Sequence, residues 1–246
     1  MRNILLKLRY DGSQFHGWQV QKNAYTVQEA LQDALEKVFS ERPDVKGCSR
    51  TDSGVHANVY FVAFKTEKNI PCEKILNALN TYLPKSVCVF ECEDTTDDFH
   101  PRYSCKAKEY VYKIYNAKIR NPFYENRAMF YPYKLDEKYL DEQAQAFVGK
   151  HDFKGFCSKR TDVEDTVRTV YYANVKREGD FVIFTVCADG FLYNMVRIIA
   201  GTLIRVGGGE MAPDEIPQIL GKKDRTAAGP TAPAHGLTMM GIEYGE

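Results

Sequence analysis

The fold of the first half of this chain is specified most clearly by Thr26-Val27-Gln28-Glu29-Ala30-Leu31-Gln32-Asp33-Ala34-Leu35-Glu36-Lys37-Val38-Phe39. Thr26 and Glu29 form a capping box, in which each side chain can accept a hydrogen bond from a backbone N–H of the first turn. The apolar residues then recur three and four apart, at Val27, Ala30, Leu31, Ala34, Leu35, Val38 and Phe39. This stripe predicts a helix that buries one face, and such a helix needs a sheet to pack on.

The segments on either side of this helix supply the strands. Ile4, Leu6, Leu8 and Tyr10 alternate with the residues between them, which is the period of a strand, and Asp11-Gly12 ends it. Strands are predicted at 45–48, 59–64 and 87–92, and a second helix opens at Pro71. The resulting order β-α-β-β-α-β is ferredoxin-like and is shared with RNA-recognition modules.

The second half of the chain repeats this plan. It offers a strand at 110–115, a helix capped by Asp136, a strand pair at 167–175 and 181–187, an apolar helix at 192–204 and a last strand at 237–244. No Ser/Gly-rich linker separates the copies. We therefore predict an α+β fold of two tandem ferredoxin-like (RRM-like) βαββαβ halves, residues 1–105 and 106–246, joined around a mixed sheet with a central cleft.

Composition narrows the class of protein. Lys plus Arg and Asp plus Glu both number 33, so any polyanionic partner must be attracted by local patches. The seven cysteines are an odd number without a CxxC pair, which favours a reduced, cytoplasmic protein. No apolar run approaches the ~20 residues of a membrane span, and Cys88 and Cys92 have no histidine nearby to complete a zinc site.

One segment carries candidate chemistry: Gly47-Cys48-Ser49-Arg50-Thr51-Asp52-Ser53-Gly54-Val55-His56-Ala57. An Asp-Ser-Gly sequence is by itself most often an ordinary turn in which the Asp binds its own backbone. In an extended chain, however, Arg50 and Asp52 emerge on the same face, where the guanidinium can orient the carboxylate or hold a phosphate. A cation that close keeps Asp52 ionised, and His56 adds a third polar group.

The string from Arg50 to Ala57 resembles the R-T-D-x-G-V-H-A motif of TruA-type pseudouridine synthases. Two departures from the family pattern are Ser49, where Gly is usual, and Asn58-Val59-Tyr60, which lacks a glycine. Further segments similar to the family are Tyr10-Asp11-Gly12, Gly17-Trp18-Gln19, Asp98-Phe99-His100 with Arg102, residues 108–116, Phe191 to Arg197 and residues 228–237.

The resemblance implies roles for individual residues. Asp52 is then the catalytic residue, Tyr110 packs beneath the target base and Arg197 pairs with Asp52, while Arg50 and His56 are further substrate-binding candidates. It also implies uridines 38, 39 and 40 of the tRNA anticodon stem-loop as targets, and a homodimer. The expected partner is tRNA rather than DNA or a membrane.

The reaction suits a single carboxylate. Conversion of uridine to pseudouridine breaks the N1–C1′ bond and joins C5 to C1′ without a change of redox state, so no metal or other cofactor is required. Asp52 can serve as nucleophile or as proton acceptor, and the sequence leaves both routes open. A glycosidase would usually need two carboxylates, and Asp52 has no matching partner in the sequence.

Two alternatives remain open on the sequence. One is a non-catalytic RNA-binding protein on the same fold, and the other is a pseudouridine synthase with another RNA target. Contacts to RNA phosphates are expected from three basic clusters, namely Lys106, Lys108, Lys113, Lys118 and Arg120; Lys154, Lys159 and Arg160; and Lys222, Lys223 and Arg225.

Overall fold

A computed structural model describes residues 1–158, 163–212 and 214–245 of the chain, which adopts an α+β fold. Lys159 and Arg160 of the second basic cluster lie outside the described residues. The chain divides into two compact units. The first contains Met1–Lys106 and Met239–Glu246, and the second contains Ala107–Thr238.

The first unit is built on an antiparallel sheet. Its strands are β1 (Arg2–Tyr10), β2 (Val45–Gly47), β3 (His56–Thr66) and β4 (Val87–Thr95). β1 is central, with Leu6 opposite Val62 of β3 on one side and Cys92 of β4 on the other. β2 pairs with β3, and the C-terminal strand β10 (Leu237–Tyr244) is also a neighbour of β3.

Two helices complete the first unit, α1 (Val27–Phe39) and α2 (Cys72–Tyr82). The Thr26 side chain accepts a 3.3 Å hydrogen bond from the backbone N–H of Glu29, so the predicted cap forms. The predicted apolar face of α1 is buried except at Val38, which is half-buried. Burial of this face supplies most of the free energy that holds α1 in place, because isolated helices of this length are marginal in water.

The second unit contains its own sheet. The strands are β5 (Cys105–Tyr115), β6 (Met129–Phe130), β7 (Gly149–Asp152), β8 (Val167–Glu178) and β9 (Phe181–Ala188). Within this unit the order is β5-β9-β8-β7, with β6 parallel to β5. The order β5-β9-β8 repeats the order β1-β3-β2 of the first unit.

The helices of the second unit are α3 (Glu137–Ala144), α4 (Met195–Gly207) and α5 (Glu215–Lys222). Asp136 caps α3 as predicted, accepting hydrogen bonds from the backbone N–H groups of Lys138 and Tyr139. α4 begins at Met195 rather than at Leu192, because Asn194 has a left-handed conformation with φ of 61°. α4 is the most buried helix of the unit, as its continuous apolar sequence predicts.

One strand was not expected from the sequence, namely the short β7, since Gly149-Lys150-His151-Asp152 lacks apolar alternation. The boundary between the two units lies after Lys106, and residues from Met239 onward return to the first unit. The return depends on β10 lying beside β3, which periodicity cannot reveal. Within the described ranges, no helix combines the length and apolarity needed to cross a bilayer.

Candidate active site

Asp52 lies in a tight turn that leads directly into β3. The backbone N–H of Val55 donates to the Asp52 carbonyl over 3.1 Å, which closes the turn. Gly54 has a φ of 79°, a conformation that suits glycine. The bond that closes the turn is made by the backbone carbonyl of Asp52, and the side chain is half-buried.

The loop that follows β1 holds this turn. The backbone N–H of Trp18 donates to the Thr51 carbonyl over 3.1 Å, and that of Gly54 donates to the Phe15 carbonyl over 3.2 Å. The hydroxyl groups of Tyr10 and Thr51 are 2.8 Å apart. Because these bonds join segments about 40 positions apart, the backbone around Asp52 is fixed by tertiary structure rather than by its own sequence.

His56 ties the same two segments together from inside. It is only 5% exposed. Its Nδ1 accepts a 3.1 Å hydrogen bond from the backbone N–H of Gly12 and lies 3.1 Å from Asp11 Oδ1. His56 therefore positions the loop after β1 against the start of β3.

Tyr60 supports the chain before the turn. Its ring is fully buried, with centroids 4.3 Å from Trp18 and 5.5 Å from Tyr10. Its hydroxyl donates to the Ser49 carbonyl, and the Ser49 N–H approaches the same hydroxyl at 3.4 Å. Ser49 and Tyr60, which belong to the two segments that depart from the family motif, are therefore in contact. Since the contact uses the backbone of Ser49, the serine side chain is not needed for it.

Arg50 is exposed and makes no ion pair with a carboxylate of the described residues. The sequence left two roles open for it, namely orienting the Asp52 carboxylate or holding a phosphate. Both roles remain predictions.

In the second unit, Tyr110 lies on β5 opposite Val186 of β9 and is 6% exposed. Its ring packs edge-on against Phe191, with a centroid distance of 5.1 Å. Tyr112, two residues along the same face, is fully buried and donates its hydroxyl to the Pro233 carbonyl over 2.9 Å. Burial raises the pKa of Tyr112, so this hydroxyl keeps its proton.

Arg197 lies in the first turn of α4 and is half-buried. Its Nε donates to the Ala232 carbonyl and its Nη1 donates to Asn194 Oδ1, each over 2.8 Å. The loop containing Ala232 packs closely on α4, since a Cβ on Gly201 would lie 1.9 Å from the Pro230 carbonyl oxygen. The guanidinium is thus held in a fixed orientation.

The predicted site residues fall into two sets. Arg50 and Asp52 belong to the loop before β3 of the first unit, and His56 is the first residue of β3, whereas Tyr110 and Arg197 belong to the second unit. Sequence reasoning missed Tyr60 as the support of the Asp52 turn and Ala232 as a partner of Arg197. The aromatic residues of the loop after β1 were a sequence signal that could have pointed to Tyr60. The contact of Ala232 is made by its backbone carbonyl, which has no sequence signal.

Comparison with known proteins identifies the family. A family model described as tRNA pseudouridine synthase matches residues 8–104 and 143–245. A tRNA pseudouridine synthase A from Thermoanaerobacter sp. (strain X514) is 46% identical over 244 residues, covering 99% of this chain and 100% of the relative. Proteins of the same name from Caldicellulosiruptor bescii and Clostridium acetobutylicum are 42% and 43% identical with the same coverage. The chain belongs to the tRNA pseudouridine synthase family, whose members are isomerases.

Proposed function

We propose that this protein converts uridine to pseudouridine in tRNA and that Asp52 is its catalytic carboxylate. The observation that carries the proposal is the half-buried Asp52 on a turn that other segments of the first unit hold in place, in a chain of this family. A carboxylate on a fixed loop needs little reorganisation when it meets the sugar of the target nucleotide.

Asp52 serves one of two roles in the reaction. As a nucleophile, its carboxylate attacks C1′ and displaces N1 of uracil; the uracil rotates, and the ester bond between Asp52 and C1′ breaks when C5 attacks C1′. As a proton acceptor, it removes the proton from C2′ as the N1–C1′ bond breaks, and this proton returns to C2′ when C5 joins C1′. In both routes the N1–C1′ bond breaks, the C5–C1′ bond forms, N1 takes up a proton, and the hydrogen on C5 is finally lost to water. All atoms of the uridine are retained apart from this exchange of hydrogen with solvent.

The target base must leave its stack, which costs a few kcal/mol, and the detached uracil must then be held. Tyr110 supplies an apolar ring for this role, and its edge-on contact with Phe191 supports a fixed ring position. The hydrogen bonds of Arg197 to Asn194 and Ala232 fix the orientation of its guanidinium, which supports a role in binding a carboxylate. The pairing of Arg197 with Asp52 remains a prediction. The burial of His56 supports a positioning role, and its contact with RNA also remains a prediction.

The target is proposed to be the anticodon stem-loop at positions 38, 39 and 40, on the resemblance of the motifs. The relatives' name, tRNA pseudouridine synthase A, supports tRNA over another RNA. The name also supports an enzyme over a non-catalytic RNA-binding protein.

We further propose that the protein acts in the cytoplasm as a homodimer. The apolar side chains of Ile119 and Phe123 are 78% and 87% exposed, which supports a dimer interface at which a second copy of the chain would bury them. For the fold, the repeat of the order β1-β3-β2 in β5-β9-β8 supports two tandem ferredoxin-like halves. The cleft between those halves remains part of the prediction.

The test is release of tritium from unmodified tRNA labelled at uridine C5. Wild-type protein is expected to release tritium, and Asp52→Asn is expected to release none, since the amide is neither a base nor a comparable nucleophile. Asp97→Asn, which changes an exposed carboxylate of the same unit, is the matched control and is expected to retain wild-type turnover. Absence of release by the wild type, or equal release by Asp52→Asn, would refute the proposal.

A further inference from the structure

A polar cavity of about 300 Å³ lies in the first unit, beside the segment that leads to Asp52. Its lining includes Trp18, Lys46, Arg50, His100, Arg102 and Tyr103. Arg50 precedes Asp52 by two residues, so their Cα atoms are at most about 7 Å apart. The cavity therefore begins within one nucleotide's reach of the proposed catalytic carboxylate.

The charges around the cavity favour an anion. The lining contains three basic residues, Lys46, Arg50 and Arg102, whereas Asp44 is its only carboxylate and already pairs with Lys46. Neither Arg50 nor Arg102 pairs with a carboxylate anywhere in the described part of the chain. Two unpaired guanidinium groups beside one cavity match the geometry of a phosphate, which arginine binds through two N–H groups at once.

His100 is a neutral part of the wall. Its Nδ1 accepts a 3.1 Å hydrogen bond from the backbone N–H of Arg102. Burial, and then the nearby charges of Lys46 and Arg102, lower the pKa of His100, which places its neutral form at physiological pH. The anion-binding charge of the cavity thus comes from the lysine and the arginines.

An aromatic face accompanies the charges. Tyr103 is 78% exposed, and its ring centroid lies 4.3 Å from that of His100. The Arg102 guanidinium lies 5.9 Å from the same ring. Because most of the Tyr103 side chain is exposed, the ring keeps accessible surface for a planar partner. Proteins bind unpaired nucleotides with this combination of a basic groove and a stacking ring.

We propose that this cavity binds a nucleotide that flanks the target uridine, with its phosphate between Arg50 and Arg102 and its base stacked on Tyr103. The proposal rests on the proposed function for the identity of the RNA. Arg102 and Tyr103 are binding residues with no part in bond breaking. Their contribution is to hold the strand while the neighbouring base is outside its stack.

Binding is measured in the Asp52→Asn background, with unmodified tRNA at several salt concentrations, so that the readout does not depend on turnover. Arg102→Ala and Tyr103→Ala are each expected to weaken tRNA binding about tenfold. Arg102→Ala is also expected to reduce the slope of the logarithm of the binding constant against the logarithm of the salt concentration by about 1 in magnitude. In the active background the same changes are expected to raise KM and leave kcat near the wild-type value. Arg102→Lys should bind more tightly than Arg102→Ala but less tightly than the parent, because lysine keeps the positive charge but lacks the paired N–H donors of the guanidinium.

Lys74→Ala, which removes an exposed cation from α2 of the same unit, is the matched control and should bind tRNA as the parent does. Parental affinity in both Arg102→Ala and Tyr103→Ala, with melting temperatures unchanged, would overturn the proposal. So would competition by free uridine monophosphate at concentrations near the tRNA Kd, since the site would then be for a free nucleotide. If both variants bind tRNA more weakly and the protein with the native Asp52 releases no tritium, the result would support the cavity as an RNA-binding site and reject the proposed function.

Discussion

Gly12 lies directly against Val55. A Cβ built on Gly12 would come within 1.9 Å of the Val55 carbonyl oxygen, which is far inside van der Waals contact. Val55 closes the Asp52 turn, and the Gly12 N–H binds His56. The loop after β1 therefore fits the turn only when residue 12 has no side chain.

Gly12→Ala is therefore expected to displace the Asp52 turn. We expect kcat/KM for tRNA to fall at least tenfold and the free energy of unfolding to fall by about 1–3 kcal/mol, as for other overpacked sites. The measurements are tritium release and urea unfolding. Gly221→Ala is the control, because its Cβ would meet nothing within 4 Å and alanine favours the α5 helix. Wild-type kcat/KM in Gly12→Ala would show that the close approach does not position Asp52.

Arg197→Lys tests whether the shape of the guanidinium matters beyond its charge. Lysine cannot reproduce the simultaneous bonds to Ala232 and Asn194, so we expect kcat to fall by about tenfold or more, with a loss of stability of about 2 kcal/mol. Single-turnover kinetics and thermal unfolding measure the two effects. Arg205→Lys, on the same helix, keeps its exposed interaction with Glu210 and should behave as wild type. If Arg197→Lys retains full kcat, the fixed orientation has no catalytic role.

His235 predicts a pH dependence of stability. Burial lowers the pKa of His235 in the folded state below the ~6.5 of an unfolded chain. The unfolded state then binds a proton more readily, so the stabilising effect is complete above pH ~6.5 and is lost as the pH falls toward the folded-state pKa. We expect wild-type stability to drop between pH 7.5 and 5 by more than that of His235→Asn. Identical profiles for wild type and His235→Asn would contradict the prediction.

The chain's sequence determined the features that depend on neighbours along the chain. The Thr26 cap, the buried face of α1, the alternation of β1 and the Asp136 cap all follow from periods of two or 3.6 residues and from local hydrogen bonds. Motif resemblance within short segments also singled out Asp52 and Arg197.

Tertiary structure alone decided which distant residues meet. The contacts of Tyr60 with Trp18, of Gly12 with Val55 and of Arg197 with Ala232 each join residues more than 30 positions apart. Local periodicity carries no information about such pairs, and a backbone carbonyl has no sequence signature at all. The meeting of Arg50 with Arg102 around one cavity was decided in the same way, because long-range burial and strand pairing select these neighbours.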